Sequence, residues 1–236
     1  MAALQRSPEL LVRHIAPVKR IELSEQVYQN VRALIVDGHL RPGSQVDLGA
    51  LAESLQVSRS TVAQVAKRLA AENLLHIVPQ TGTFVQRFTR QDVMDLYDVR
   101  LCLELWAAES GVRSASDEEI ARLRQLLDEF APLFESDAPK DLQSLARKNR
   151  EFHSYLVSLA KNRRLLEMYE TLNIDVLGVR ERQVRSVVCH ARDLDATHGA
   201  IVRAYEQRDV GAAREAITEH LQDARDRLCQ AYDTSE

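Results

Sequence analysis

Three histidines and one asparagine occupy positions where the helical pattern of this sequence favours apolar residues. In the segment NREFHSYLVSLAKN, Asn149 and His153 are four positions apart, so they lie on one face of a helix. The same face carries the apolar residues Leu142, Leu145, Phe152, Leu156 and Leu159. An amide and an imidazole on this face need polar partners, because an unpaired polar group in a protein core costs free energy.

His198 and His220 lie on apolar stripes of two later helices. The stripe around His198 comprises Leu194, Ile201 and Tyr205, and the stripe around His220 comprises Ala213, Ala216, Ile217, Leu221, Ala224 and Leu228. A single inward histidine is usually a core residue with its own hydrogen-bond partner. Three of them on three helices are explained together by one divalent cation, because neutral imidazole is a common metal ligand. The sequence therefore predicts a metal site at His153, His198 and His220, with Asn149 one helical turn from His153.

A site of this composition has three interpretations. It can support a small-molecule sensor, act as a metal sensor without an organic effector, or form the centre of a metal-dependent hydrolase, since catalytic zinc sites also use three protein ligands and an open position. The sequence offers no glutamate near the histidine set as an obvious general base. A hydrolase would also leave the basic N-terminal part of the chain, residues 1–88, without a role. The hydrolase is therefore the less favoured interpretation.

The elements that position these residues are predicted to be helices, and residues 89–236 form an all-α bundle. Capping residues and apolar periodicity predict helices over residues 89–110, 117–134, 141–160, 163–183, 191–207 and 210–232. In the first of these helices, Val93, Leu96, Tyr97, Leu101 and Leu105 are expected to point inward. His190 stands at a helix start in a polar setting, so we place it outside the metal set.

Residues 21–88 have the pattern of a winged helix-turn-helix, which makes the whole chain mainly α with one small β-hairpin. A helix begins at the N-cap Ser24, Asp47 caps a short second helix, and Ser58 caps a third over residues 59–73. Two β-like runs, 74–78 and 83–85, flank a Pro-Gln-Thr-Gly turn and form the wing. Residues 1–20 show no sustained period and are expected to be a mobile extension.

The start of the third helix and the wing turn are the candidate DNA contacts. Hydroxyls, backbone N–H groups and a guanidinium at a helix N-terminus can all contact phosphates or base edges. The predicted DNA-binding residues are Ser58, Arg59, Ser60, Thr61, Gln64, Gln80, Thr81 and Gly82. Charge agrees with this assignment, because residues 1–88 hold ten Lys/Arg against seven Asp/Glu, whereas the remainder holds twenty-one against twenty-eight. The alternative is a small three-helix unit with a hairpin and no affinity for DNA.

Composition indicates a cytoplasmic protein. Cys102, Cys189 and Cys229 are widely spaced and odd in number, as expected for reduced, buried thiols. The N-terminal residues contain scattered charges instead of the apolar block of a secretory signal, and no segment has the length of a membrane span.

Two sets of motifs resemble a known family. The stretch RPGSQVDLGALAESLQVSRSTVAQVAKRLAAENLLHIVPQTGTFV is similar to the DNA-binding domain of the GntR family of bacterial transcription regulators. The motifs VRLCLE at 99–104, NREFH at 149–153 and AKN at 160–162, with His198 and the pair His220-Leu221, resemble the FadR-type effector domain called FCD. The resemblance covers roughly residues 22 to 232, with both halves in order.

The resemblance implies specific roles for several residues. FCD domains hold a divalent metal through an Asp and a His four apart and two later His, beside a small-molecule pocket. The resemblance therefore implies a ligand set at Asn149, His153, His198 and His220. FCD domains also commonly place an Arg against the effector's carboxylate, which assigns Arg100 to effector binding, with Glu104 beside it. Because Arg100 and Glu104 are four apart, a plain helix-surface ion pair is the alternative.

Three positions depart from the family pattern. Asn149 replaces the usual Asp, Ala63-Gln64 replaces Arg-Glu in the recognition helix, and Gln80 replaces an Arg in the wing. We therefore expect a cytoplasmic homodimer that binds a palindromic double-stranded DNA operator through contacts of its own. We also expect a divalent metal, zinc first with nickel or manganese as alternatives, and a small carboxylate effector.

Overall fold

The computed structural model describes residues 20–135, 138–172 and 191–233. The predicted N-terminal extension, apart from its last residue, lies outside this range. So do His190, Cys189 and the part of the predicted 163–183 helix beyond residue 172.

The front domain contains three helices, α1 (Arg20–Val36), α2 (Leu48–Ser54) and α3 (Arg59–Ala71). Asp47 caps α2 by accepting hydrogen bonds from two backbone N–H groups, and Ser58 caps α3 by accepting one from Thr61, both as predicted. The prediction that Ser24 caps α1 is wrong, because the helix already begins at Arg20. The intervening residues include neither Gly nor Pro, so nothing stops the helix there.

The wing is a three-stranded antiparallel sheet formed by β1 (Gln45–Val46), β2 (Leu75–Val78) and β3 (Gly82–Val85), in the order β1-β3-β2. The predicted hairpin corresponds to β2 and β3, whereas β1 was missed because two residues are too few to show an alternating pattern. The wing turn needs Gly82, since its φ is +145° and a Cβ there would stand 2.6 Å from the Gln45 side chain.

The rear domain is helical apart from one short strand pair. Its helices are α4 (Arg90–Ser114), α5 (Asp117–Asp128), α6 (Leu142–Ser158), α7 (Arg163–Glu170), α8 (Ala191–Glu206) and α9 (Val210–Asp233). The helix predicted over 117–134 is too long, because Pro132 lies in a 3₁₀ turn, Ala131–Leu133, where its ring is incompatible with a continuing α-helix. The chain then forms β4 (Phe134–Glu135) paired with β5 (Ala138–Pro139).

Helix α4 is the central element of the rear domain and begins directly after the wing. Thr89 caps it with a complete capping box to Asp92. Phe88, at the junction, packs against the cores of both domains. Within the described part of the chain, no helix combines the length and apolar character needed to cross a membrane.

The fully buried stripe of α4 differs from the predicted one. Val93 and Tyr97 are buried as expected, but Leu101 and Leu105 are only partly buried, and Arg100 and Glu104 occupy the buried face instead. The prediction of buried cysteines also fails for Cys102, which is exposed, while Cys229 is buried.

Gly111 allows α4 to pack closely against its neighbours. A Cβ at this position would lie 3.1 Å from the Tyr205 hydroxyl, 3.2 Å from the Leu159 Cβ and 3.4 Å from the Leu159 backbone. The Leu159 Cβ is bonded directly to the backbone, so it cannot move aside as the end of a flexible side chain can. A branched side chain at residue 111 must therefore push α4 away from the end of α6.

We expect Gly111→Val to destabilise the protein by about 1–3 kcal/mol, the usual cost of overpacking a core. Valine has a better helix propensity than glycine, so any loss reports the steric contact. Urea unfolding measures it, with Gln125→Val at an exposed position of α5 as the control. Equal stabilities of Gly111→Val and the parent would contradict the close packing.

Candidate metal centre and DNA-binding surface

The four predicted metal ligands converge in the core of the rear domain. Asn149 and His153 come from α6, His198 from α8 and His220 from α9. The His153 Nε2 lies 3.2 Å from the His198 Nε2 and 3.1 Å from the His220 Nε2, and the His198 Nε2 lies 2.9 Å from the Asn149 Oδ1. The three histidines are buried, and one ligand atom from each lies within 4.8 Å of the others.

Glu104 fixes the orientation of His153. The Glu104 Oε2 lies 2.9 Å from the His153 Nδ1, and both side chains are buried. Because an ionised carboxylate can only accept hydrogen bonds, Nδ1 carries the proton. The unprotonated Nε2 of His153 therefore faces the other two histidines, with its lone pair available to a metal.

The Glu104 carboxylate remains ionised despite complete burial. Its other oxygen, Oε1, accepts hydrogen bonds from the Arg100 Nε at 2.6 Å and the Tyr169 hydroxyl at 2.8 Å. Burial alone would raise the pKa of Glu104, but His153 and Arg100 outweigh it and lower the pKa to about 2. Burial lowers the pKa of His153, which favours its neutral form. Arg100 therefore supplies the positive charge that balances Glu104.

Burial favours the neutral form of His153 and His220, which is the state a metal requires. Burial lowers the pKa of His220 well below its usual value, and the neighbouring His198 and His153 lower it further. Neutral imidazoles can satisfy the contacts without a metal, if His220 donates from Nε2 to His153 and His198 donates from Nε2 to the Asn149 Oδ1. That arrangement leaves the buried His220 Nδ1 without a hydrogen-bond partner among the described residues.

The spacing of the donor atoms also fits a metal ion. Zinc–nitrogen distances of about 2.0–2.1 Å place two ligand atoms about 3.0 Å apart at a right angle and about 3.4 Å apart in a tetrahedron. The observed separations of 2.9, 3.1 and 3.2 Å fall in or just below this range. Asn149, His153, His198 and His220 are thus a donor set of three nitrogens and one oxygen that a divalent cation can occupy.

Aromatic packing restricts the movement of the cluster. The Phe152 ring lies edge-on to His198 with centroids 4.9 Å apart, and Phe130 lies 5.5 Å from the same ring. His153 stacks on His220 at 5.0 Å. These rings occupy the space into which the imidazoles would otherwise rotate.

Arg100 and Glu104 form an ion pair, as their spacing suggested, but in the core instead of on the surface. Arg100 is 1 % exposed and Glu104 is fully buried. The carboxylate that the sequence analysis did not find near the histidines is Glu104, and the signal was its position on the same face as Val93, Tyr97 and Arg100. Both of its oxygens already accept hydrogen bonds, so it orients His153 and is poorly placed to act as a general base.

Sequence reasoning missed Tyr169 entirely. Tyr169 lies on α7, four residues after the buried Leu165, and that spacing was the only local sign of its burial. Two other buried polar atoms near this region, the Arg100 Nη2 and the Tyr205 hydroxyl, have no hydrogen-bond partner within the described residues.

The predicted DNA-contacting residues lie on α3, mostly at its start, and in the wing turn of the front domain. Three hydroxyls form a cluster at the start of α3. The Ser58 Oγ lies 2.8 Å from the Ser60 Oγ and 2.7 Å from the Thr61 Oγ1. The side chains of Arg59 and Gln64 on α3 are exposed. In the turn, Gln80 and Thr81 are exposed and Gly82 is partly buried.

Comparisons with known proteins agree with this architecture. Residues 23–85 match the family described as bacterial regulatory proteins, gntR family, and residues 95–223 match the FCD domain. These families are transcriptional regulators, so the hydrolase interpretation is set aside.

Several curated regulators are similar in sequence. The regulator YdhC of Bacillus subtilis is 30% identical over 148 residues, which is 63% of this chain and 65% of YdhC. The Nta operon regulator of Aminobacter aminovorans is 30% identical over 142 residues, 59% of this chain and 65% of that protein. The chain therefore spans just under two thirds of these two relatives. The repressor RspR of Escherichia coli is 25% identical over 201 residues, 85% of this chain and 86% of RspR.

Solved structures share the fold. McbR/YncC of E. coli superposes with a TM-score of 0.69 at 22% identity, covering 89% of this chain and 98% of McbR. A GntR regulator from Rhodococcus sp. RHA1 gives 0.72 at 23% identity, with the same coverage. Since the FCD match alone spans more than half of the chain and follows a matched DNA-binding domain in the same order, this protein belongs to the GntR family of bacterial transcriptional regulators, in the group that carries an FCD domain.

Proposed function

We propose that this regulator binds a palindromic operator as a homodimer and responds to a small carboxylate held near a divalent metal in the rear domain. The close approach of three buried imidazoles, with the Asn149 amide oxygen 2.9 Å from one of them, is the observation that carries the sensor part of the proposal. A sensor that responds to the metal alone is the second candidate, since the same arrangement supports it.

The proposed metal is zinc, with nickel and manganese as alternatives. Imidazole nitrogen suits zinc and nickel, whereas an oxygen donor and open coordination positions also admit manganese. None of the four donors carries a charge, so a bound cation keeps its full +2. The Asp that FCD domains usually have in place of Asn149 would reduce the net charge of the site to +1.

The charge inside the core supports an anionic effector. Arg100 and Glu104 balance each other, so the buried region without a metal has no net charge, and a bound cation adds two positive charges. A carboxylate that completes the coordination shell lowers this excess. The Arg100 Nη2 offers it a second contact, because it has no hydrogen-bond partner among the described residues.

The prediction for the metal concerns residue 149. Asn149→Asp should raise zinc affinity, because a carboxylate binds a cation more strongly than an amide does. His153→Ala, His198→Ala and His220→Ala should each lower it by tenfold or more, on the order of the loss expected on removing one ligand. Calorimetric titration with zinc measures the affinities, and His76→Ala in the wing, an exposed histidine, is the control. A parent protein that binds no divalent metal would leave the histidines as a polar core network.

The prediction for DNA concerns Arg59. Arg59→Ala should weaken binding to a DNA site selected from a random-sequence pool by about 1–3 kcal/mol if the guanidinium contacts a base edge. A phosphate contact would instead weaken binding to every sequence and reduce the salt dependence. Gel-shift titration at two salt concentrations separates the two cases. Arg164→Ala on α7, also exposed, should leave the affinity unchanged, and an unchanged affinity for Arg59→Ala would remove Arg59 from the interface.

The prediction for the effector concerns Arg100. Arg100→Lys keeps a positive charge beside Glu104 but loses the planar pair of donors that suits a carboxylate. We expect the zinc-loaded variant to fold, bind DNA like the parent and lose most of the thermal stabilisation that a panel of mono- and dicarboxylates gives the parent. Arg124→Lys, which alters the partly exposed pair with Glu206, is the control. Equal responses of parent and variant would show that Arg100 is a core residue only.

A further inference from the structure

The first arginine of the recognition helix, Arg59, lies against the start of the preceding helix, α2. A Cβ added at Gly49, in the first turn of α2, would stand 3.5 Å from the Arg59 Nη2 and 3.6 Å from its Cζ. The same point lies 3.1 Å from the Asp47 Oδ1. The guanidinium of Arg59 and the carboxylate that caps α2 therefore meet over one stretch of backbone, and both side chains are exposed.

Gly49 leaves room for this approach although its own backbone does not require a glycine. Its φ is not positive, and glycine is a poor helix former compared with almost any other residue. Local conformation therefore gives no reason for a glycine in this turn. The absence of a side chain at residue 49 instead provides the space that the Arg59 guanidinium uses.

Asp47 places a negative charge beside this guanidinium. Its Oδ1 accepts hydrogen bonds from the backbone N–H of Gly49 at 2.8 Å and of Ala50 at 3.0 Å. These two hydrogen bonds lower the pKa of the Asp47 carboxyl, and the nearby Arg59 lowers it further. Among the described residues, the Arg59 side chain donates no hydrogen bond. Its N–H groups therefore remain available to DNA while the carboxylate attracts the guanidinium electrostatically.

A guanidinium restrained in this way is suited to reading a base. An unrestrained arginine loses conformational entropy when it is ordered. Guanine presents two acceptors in fixed positions, so a bidentate contact needs one orientation of the guanidinium plane, whereas phosphate contacts carry no sequence information. A carboxylate beside the guanidinium limits its orientations and also repels phosphates that would compete for it. Loss of this carboxylate should therefore reduce sequence discrimination more than overall affinity.

We propose that Asp47 positions the Arg59 guanidinium for base reading and so determines part of the operator specificity of this regulator. Gly49 leaves the space in which the two groups approach each other. Asp47 acts through Arg59 and is a positioning residue, in addition to being the N-cap of α2. This inference rests on the Arg59 contact of the proposed function.

Asp47→Asn tests the proposal, because asparagine caps a helix as well as aspartate does but carries no charge. Fluorescence anisotropy measures the affinity of the full chain for the DNA site that the parent selects from a random-sequence pool, for single-base variants of that site and for a scrambled duplex. We expect Asp47→Asn to reduce the ratio of selected-site to scrambled affinity about tenfold, on the order of one bidentate base contact. The loss should fall on the base pairs at which Arg59→Ala also loses discrimination.

The double variant shows whether Asp47 acts through Arg59. In the Arg59→Ala background, Asp47→Asn should leave the ratio unchanged within about twofold, because no guanidinium remains to be positioned. Glu53→Gln, at an exposed position of the same helix, is the control for the lost charge. It should raise the affinity for every duplex alike. Asp47→Ser, which keeps another good N-cap, should reproduce Asp47→Asn, and thermal unfolding establishes that each variant is folded.

The outcomes separate this inference from the proposed DNA contact. If Arg59→Ala loses discrimination but Asp47→Asn does not, or loses it equally with and without Arg59, the positioning role is wrong while the Arg59 contact stands. If Arg59→Ala binds every duplex like the parent, the contact and the positioning role fail together. A loss that is confined to the base pairs read by Arg59 and absent from the Arg59→Ala background supports both.

Discussion

The Glu104 carboxylate lies in the core of the rear domain and contacts groups from three other positions, each of which depends on its negative charge. It accepts hydrogen bonds from Arg100, Tyr169 and the His153 Nδ1. Without Glu104, Arg100 would be a buried cation with no counter-charge, an arrangement that costs several kcal/mol. The protonation state of His153 would also be undetermined. One carboxylate thus stabilises a buried cation and orients the His153 imidazole.

The two domains satisfy their polar groups in different ways. In the front domain, Asp47 and Ser58 cap helices near the surface, so the polar atoms remain accessible to a nucleic acid. In the rear domain, Arg100 and Glu104 of α4, His153 of α6 and Tyr169 of α7 are buried, and Glu104 accepts hydrogen bonds from the other three. A DNA-contacting surface must remain hydrated and adaptable, whereas a metal or small-molecule site benefits from rigid, dry surroundings.

Much of this architecture could be predicted from the sequence because it depends on local patterns. The starts of three helices were predicted from their capping residues, Asp47, Ser58 and Thr89. The apolar stripes indicated that His153, His198 and His220 would lie close together in the core. Local patterns could not place Glu104 beside His153 or Tyr169 beside Glu104, since these partners are 49 and 65 positions apart. The two-residue strands β1, β4 and β5 are likewise defined by their partners and not by any periodicity of their own.

Helix α4 also has a mechanical property that follows from its length and its neighbours. Its 25 residues form a rod of about 37 Å, and only four residues separate its start from the last strand of the wing. A tilt of roughly five degrees about the middle of such a rod displaces each end by about 1.5 Å, by simple leverage on that length. Arg100 and Glu104 lie near the pivot, where little movement is needed. The wing is attached at one end of α4, where the displacement is greatest, so a small tilt near Arg100 and Glu104 would move the wing further than it moves those two residues.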